Sequence, residues 1–205
     1  MERVDHIRQR WNARHARRGQ GSLSRGPRAL LRSHAQHLPD YGLALDGAAG
    51  VIQNGLFLAE KGLNVLALDI SEVGLRIGLR QARRRSLSVH AVVCDLRRLW
   101  LPPESFDVIV NLLYLERATL PVYRQALKPG GLLLFEGFSA LCSVHARNEH
   151  YLKSGELLHH FQDFDILHHG LRQVTDENEE IQKQTEQLVA RKPLGQETVS
   201  VWEES

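Results

Sequence analysis

From Gly42 onward, short apolar runs alternate with segments of helical spacing. Residues 43–46, 64–69, 88–93, 106–111 and 130–136 are four to seven residues long and mostly apolar, which predicts strands buried on both faces. Between them, residues 53–61, 71–84 and 118–127 carry apolar positions three and four apart, which predicts helices. Strands that are apolar on both sides and separated by helices imply a parallel sheet between helical layers. The stretch LKPGG (127–131) predicts a turn, because Pro129 fixes one dihedral and two glycines permit a positive one.

The ends of the chain follow other rules. Residues 2–18 place Val4, Ile7, Trp11 and His15 at helical steps, and residues 28–38 predict a second short helix stopped by Pro39. Later, KSGELLHHF predicts a helix with Ser154 as its N-cap. DFDILHHGLRQV and EQLVARKP predict two strands joined by a polar connection, an antiparallel hairpin on one edge of the sheet. No linker divides this part from the rest, so a single domain is expected.

Composition changes this picture little. Of 205 residues, 42% are hydrophobic and 24% charged, as in ordinary soluble proteins, and no apolar run approaches the length of a membrane span. Two cysteines, Cys94 and Cys142, are too few for a disulfide framework, and the start of the chain has no signal-peptide core, so a cytoplasmic location is expected. Net charge is +2 but uneven: nine Arg precede His37, against Glu2 and Asp5. No aromatic residues interleave with these arginines as a single-strand binding platform requires, so a solvated helix face is expected rather than a nucleic-acid partner. HHFQDFDILHH carries two histidine pairs, but neighbouring residues point apart and each pair offers one ligand at most, so no metal is expected.

The candidate chemistry lies at strand ends. In an open parallel sheet ligands settle beyond the carboxyl ends of the strands. Leu45–Glu60, LDGAAGVIQNGLFLAE, ends its strand in Asp46 and turns through small residues into a helix whose N-terminus faces the turn. Asp69 ends the second strand about twenty residues later, the spacing of a carboxylate that accepts ribose hydroxyls. VVCDL closes the third strand with Asp95, where a carboxylate can accept from an adenine amino group. The fourth strand ends in Asn111, with Tyr114 close behind, and the fifth in Glu136. Acids after three successive strands, with few glycines, do not match a nicotinamide enzyme.

With NGLFLAEKGLNVLALDIS, DLRRLWLPPESFDVIVNLLYLER, ALKPGGLLLFEGF and YLKSGELLHHF, the chain resembles the class I S-adenosylmethionine-dependent methyltransferases. It is most similar to the small bacterial branch that includes tellurite-resistance and thiopurine-type enzymes. The resemblance runs from WNARHA to LVARKP. It implies an α/β, Rossmann-like methyltransferase fold: a seven-stranded, mostly parallel sheet with an antiparallel edge hairpin and helices on both faces. The expected divisions are a helical N-terminal cap (1–40), a cofactor-binding core (41–136), and a substrate-side segment with the C-terminal edge strands (137–205). The implied cofactor is S-adenosylmethionine. Asp46 would lie near its ammonium, Ala48 and Gly50 against its methionine part, Asp69 on the ribose and Ile70 over the adenine. Asp95 and the backbone of Leu96 would face the base, and Asn111 and Leu112 the sulfonium. Trp11 and His15 match the branch's amino-terminal aromatic cap, although a Tyr is more usual at His15. Tyr114, Glu136 and His145 are candidates for the substrate side.

The departures are as informative. The family turn reads acid-x-Gly-x-Gly-x-Gly, and its glycine places are here Ala48, Gly50 and Ile52. Gln53 stands where the branch often carries Arg. A positive φ at Ile52 would cost roughly 1–3 kcal/mol, or the side chain would fill the methionine pocket. Two functions follow. One is methyl transfer to a small molecule or soft anion, with no catalytic side chain assigned; the other is a catalytically inactive, methyltransferase-like binding module.

Overall fold

The computed structural model describes residues 2–18, 26–140, 150–175 and 182–195. Its seven strands form one sheet: β1 (Leu43–Gly47), β2 (Asn64–Asp69), β3 (Val89–Val93), β4 (Phe106–Leu112), β5 (Leu127–Phe138), β6 (Asp165–Thr175) and β7 (Gln182–Arg191), in the order β3-β2-β1-β4-β5-β7-β6. The first five strands pair in parallel, whereas β7 runs antiparallel to β5 and β6 antiparallel to β7. The order reverses between β1 and β4, so the carboxyl ends of those two strands flank the crevice of an open α/β sheet.

Consecutive side chains of a strand enter opposite layers, which is why the core strands are aliphatic throughout. Ala44, Val108, Val110, Leu132, Leu134 and Val189 meet one layer with Leu30, Leu31 and Leu58. Their neighbours Leu45, Ile109, Leu133, Phe135, Leu188 and Ala190 meet the other with Leu120, Tyr123 and Phe161. The first layer is built by α2 (Ala29–Ser33), α3 (Gln53–Glu60) and α4 (Glu72–Arg84), with α1 (Glu2–Arg18) lying on α4. The second is built by α5 (Thr119–Ala126) and α6 (Glu156–His160).

Four local expectations need correction. The second helix ends at Ser33, and a single 3-10 turn (Ala35–His37) carries the chain to Pro39. Ser154 does not cap α6: Gly155 does so with φ 72°, and the Glu156 carboxylate accepts from the Lys153 N–H at 2.9 Å while Arg117 holds it at 2.6 and 2.9 Å. The turn at 127–131 is a bulge inside β5, since Leu127 pairs with Phe106 and Leu132 with Val108, and Lys128 Nζ reaches Asp107. Finally, β3 is an edge strand, with Val92 and Val93 half exposed. The chain passes from β3 to β4 through the 3-10 turn Leu96–Arg98 without an α-helix, while α4 packs against β3 through Val89 and Ala91.

Candidate functional site

The turn after β1 has an unusual backbone. Ala48, Gly50 and Ile52 all adopt positive φ, at 55°, 54° and 62°. The three glycine places of the motif are thus the left-handed places, and a side chain at two of them is held there against its own steric preference. The turn is closed by Ala49 N–H to Leu68 O (2.9 Å) and Ile52 N–H to Ala49 O (2.7 Å).

Ile52 does not project into the crevice. Its side chain is fully buried in a cluster with Ala49, Ala67 and Leu75, between the sheet and α4. Two helical glycines make room for it: a Cβ at Gly55 would lie 2.6 Å from Ile52 Cγ2, and one at Gly78 would lie 2.6 Å from Cγ1 and 2.7 Å from Cβ. The left-handed cost is real, but the branched side chain gains burial in a hole that fits it.

Two buried carboxylates bracket the turn. Asp69, 8% exposed, accepts from Gly50 N–H through Oδ2 (2.8 Å) and from Ser71 N–H through Oδ1 (2.7 Å). Burial raises its pKa, against the pull of those N–H groups and of His15. Asp46, 1% exposed, accepts from Gly55 N–H at 2.8 Å through Oδ2, while its Oδ1 is buried with no hydrogen-bond partner. Burial pushes its pKa up to about 7; the Asp69 charge adds to the rise, and the Gly55 N–H and Asn54 amide oppose it. The folded form therefore holds a proton that the unfolded chain releases near 3.8, and this contribution is lost as pH rises from about 4 through 7. The gap corresponds to on the order of 4 kcal/mol at most. Asp46→Asn should consequently stabilise the free protein at pH 8 and change it little at pH 4, in thermal melts across that range.

The remaining residues sort by what they touch. Asn111, fully buried, donates to the Tyr123 hydroxyl (3.0 Å), and its own Oδ1 has no partner. Ala48 and Ile70 are partly buried at the turn and the end of β2; Leu96 and Leu112 are buried at the ends of β3 and β4. Trp11 and His15 stack at 5.9 Å on α1, and His15 packs over Gly50 and Gly74, where an added Cβ would meet its ring at 3.2 and 3.1 Å. Burial raises Tyr114 to about 12, so it stays a neutral hydroxyl; the charges of Glu116, Asp95, Arg97 and Asp69 act on it too. Glu136 is enclosed by Thr185 Oγ1 (2.9 Å), Gln187 Nε2 (3.0 Å) and the Arg28 guanidinium (3.4 Å). His145 and Cys142 lie outside the described residues. The Cys94 thiol is pushed up by burial to about 11 and stays protonated. His168 packs on His34, His169 bonds Glu186, and among the described residues no group of three His, Cys, Asp or Glu is arranged to hold a metal.

Sequence reasoning missed several residues that shape this site. Asn12 Oδ1 accepts from Ser71 Oγ (2.8 Å) and Val73 N–H (3.3 Å), which ties α1 to the first turn of α4. Arg28 crosses from the N-terminal segment to Glu136, so one of the early arginines serves a buried acid rather than solvent. Neither pairing leaves a signal in the chain, because the partners are 59 and 108 residues apart.

Residues 44–131 match the family model described as "Methyltransferase domain". A S-adenosylmethionine-dependent methyltransferase from Methanosarcina mazei is similar, with TM-score 0.66 and 18% identity, covering 82% of this chain and 99% of that one. TehB from Haemophilus influenzae is similar with TM-score 0.67 and 18% identity over 80% of this chain, which spans 61% of TehB's length. A S-adenosylmethionine-dependent methyltransferase from Mesorhizobium loti gives TM-score 0.60 and 21% identity, covering 80% and 98% of the two chains. No curated protein matches the sequence. The chain has the fold of these methyltransferases, and the match of residues 44–131 to the methyltransferase-domain model falls on the strands and turn described above.

Proposed function

We propose that this chain binds S-adenosylmethionine across the ends of β1, β2 and β4 and transfers its methyl group to a small-molecule or soft-anion acceptor. The observation that carries the reading is Asp46: an enclosed carboxyl with one oxygen unpartnered, at the end of the first strand of the segment that matches the methyltransferase-domain model. A buried acceptor without a donor is costly, and a ligand ammonium would satisfy it and favour its ionised form. Asn111 Oδ1 offers a second open acceptor at the end of β4. The donor set therefore fits a ligand with a cationic, hydrogen-bond-donating end.

In this reading Asp46 holds the ammonium, while Asp69 retains lone pairs for the two ribose hydroxyls beyond those given to Gly50 and Ser71. Ala48 and Gly50 let main chain lie against the methionine part, Ile70, Asp95 and Leu96 border the base, and Asn111 and Leu112 border the reacting end. When bound, the cofactor supplies an activated methyl on a sulfonium, with a neutral thioether as leaving group. The chain's contribution is to orient an acceptor and exclude water. His15, stacked on Trp11, covers the turn from α1, and the Tyr114 hydroxyl keeps its proton.

The alternative of a catalytically inactive module rests on Ile52 and on Gln53 in place of Arg; the burial of Ile52 under α4 speaks against the first of these grounds. Titration calorimetry with S-adenosylmethionine and S-adenosylhomocysteine should give micromolar affinity. Absence of heat at millimolar ligand would overturn the proposal. Because Asp46 must ionise to receive the ammonium, affinity should rise with pH through about 7, with proton release on binding below it.

A further inference from the structure

The packing of α1 on α4 brings together two rows of arginine that are distant in the chain. Asn12 Oδ1 accepts from Ser71 Oγ at 2.8 Å and from the Val73 N–H at 3.3 Å, and a Cβ at Gly74 would meet the His15 ring at 3.1 Å. Arg10, Arg14 and Arg17 on α1 and Arg76, Arg80 and Arg83 on α4 share the spacing i, i+4, i+7, so each row follows one side of its helix. All six are exposed. The two helices hold ten arginines and no lysine, against Glu2, Asp5 and Glu72. The whole chain has a net charge of only +2, so positive charge is gathered on this face.

Little of this charge is neutralised within the protein. Arg8 pairs with Asp5 at 2.7 Å and Arg76 with Glu72 at 3.5 Å, both at the surface, where water screens the pair. Arg10 and Arg14 stand 5.9 and 5.2 Å from the Trp11 ring, a contact that leaves their charge in place. Arg17, Arg80, Arg83 and Arg84 have no ion-pair partner among the described residues. Like charges four apart on a helix repel, and an anion lying along the row relieves them.

The chemistry of the face selects among anionic partners. A guanidinium takes two phosphate oxygens in a planar fork, which a lysine cannot do. A membrane surface is a poorer match, because interfacial helices insert large apolar side chains and neither helix exposes one among the described residues. A single strand needs aromatic rings on which its bases stack, and Trp11, the ring in the α1 row, already carries Arg10 and Arg14. A double helix offers a dense line of phosphates that can be held without reading bases. Independently of the cofactor reading, we propose that the α1–α4 face docks duplex nucleic acid through its phosphate backbone. α1 taken alone reads as a solvated helix face; packing against α4 supplies the second row.

Fluorescence anisotropy on the full chain tests this with labelled duplex RNA and duplex DNA of about 20 base pairs, between about 50 and 200 mM salt. Micromolar affinity is expected at the lower salt, with about five phosphates neutralised and a log–log salt slope of about −4.5. Arg80→Ala combined with Arg84→Ala should weaken binding at least about tenfold and flatten the slope by about 2. Arg32→Ala combined with Arg172→Ala removes the same charge from exposed positions outside the two helices and should change affinity by less than about threefold. Alanine favours the helix, and circular-dichroism melts establish that both variants fold. No binding at the lower salt, equal losses in the two variants, or tighter binding to a single strand of the same length overturns the proposal. Binding to phosphatidylserine vesicles without duplex binding, or salt-sensitive self-association in sedimentation without it, gives the face to a membrane or to a second copy and overturns it as well.

Discussion

Ile52→Gly should destabilise the protein by roughly 2 kcal/mol and leave affinity for S-adenosylhomocysteine within about threefold of the parent. Two effects oppose each other. Glycine removes the left-handed penalty at φ 62°, worth about 1–2 kcal/mol for a residue with a Cβ. It also deletes a fully buried aliphatic side chain, for which about 2–5 kcal/mol is usual when large residues become small. The cavity wins because the hole was built by Gly55 and Gly78 and cannot close on itself.

The converse experiment strains the same contact. Gly78→Ala would push a methyl to 2.6 Å from both Ile52 Cγ1 and the Val51 carbonyl oxygen. A net loss of about 2 kcal/mol is expected after the gain in helix propensity is set against overpacking. In Gly55→Ala the nearest obstacle is Ile52 Cγ2, at 2.6 Å, so Ile52→Ala should relieve part of the damage, and a double-mutant cycle should return coupling above about 1 kcal/mol. Chemical denaturation measures all of these. A stabilised Ile52→Gly, or one with newly acquired or much tighter ligand binding, would show that the side chain obstructs the crevice after all.

Asp69→Ala is expected to weaken cofactor binding by about a hundredfold or more, through two losses. Its carboxylate fixes the turn by accepting from Gly50 and the start of α4 by accepting from Ser71, and those charge-assisted bonds vanish together. The ribose also loses its acceptor, at about 1.5–3 kcal/mol for hydrogen bonds to a charged group. Asp69→Asn keeps one accepting oxygen and should fall between, near tenfold. Calorimetry separates the three proteins, and unchanged affinity in Asp69→Ala would remove the ribose from β2. Because burial raises the Asp69 pKa, the parent's affinity should also fade as the pH drops toward the carboxylate range, where the acceptor becomes protonated.

The layers of this fold could be read from the chain because strand and helix periodicities are local. Runs such as VIV (108–110) and LLLF (132–135) are apolar at every position only if both faces are covered, and alternate residues of each enter the two opposing layers. Asp46 and Asp69 could be singled out for a similar reason: each terminates its own apolar run, and the carboxyl end of a parallel strand is where the turn and the next helix begin. Boundaries suffered where a local signal was outvoted. Ser154 has the chemistry of a cap, yet Gly155 takes the cap position, and Arg117, thirty-nine residues from Glu156, fixes the acid that folds back onto the Lys153 N–H.

What the sequence determined by itself was the succession of buried strands and the acids at their ends, because each depends on residues within one or two turns of the chain. Tertiary structure alone decided the meaning of Ile52. Whether a branched side chain at a left-handed position blocks a crevice or fills a core depends on Gly55 and Gly78, and helical spacing gives no sign that these two glycines face the same neighbour. It also decided where Arg28 and Asn12 find their partners, across separations at which charge and hydrogen-bonding capacity carry no address until the chain is packed.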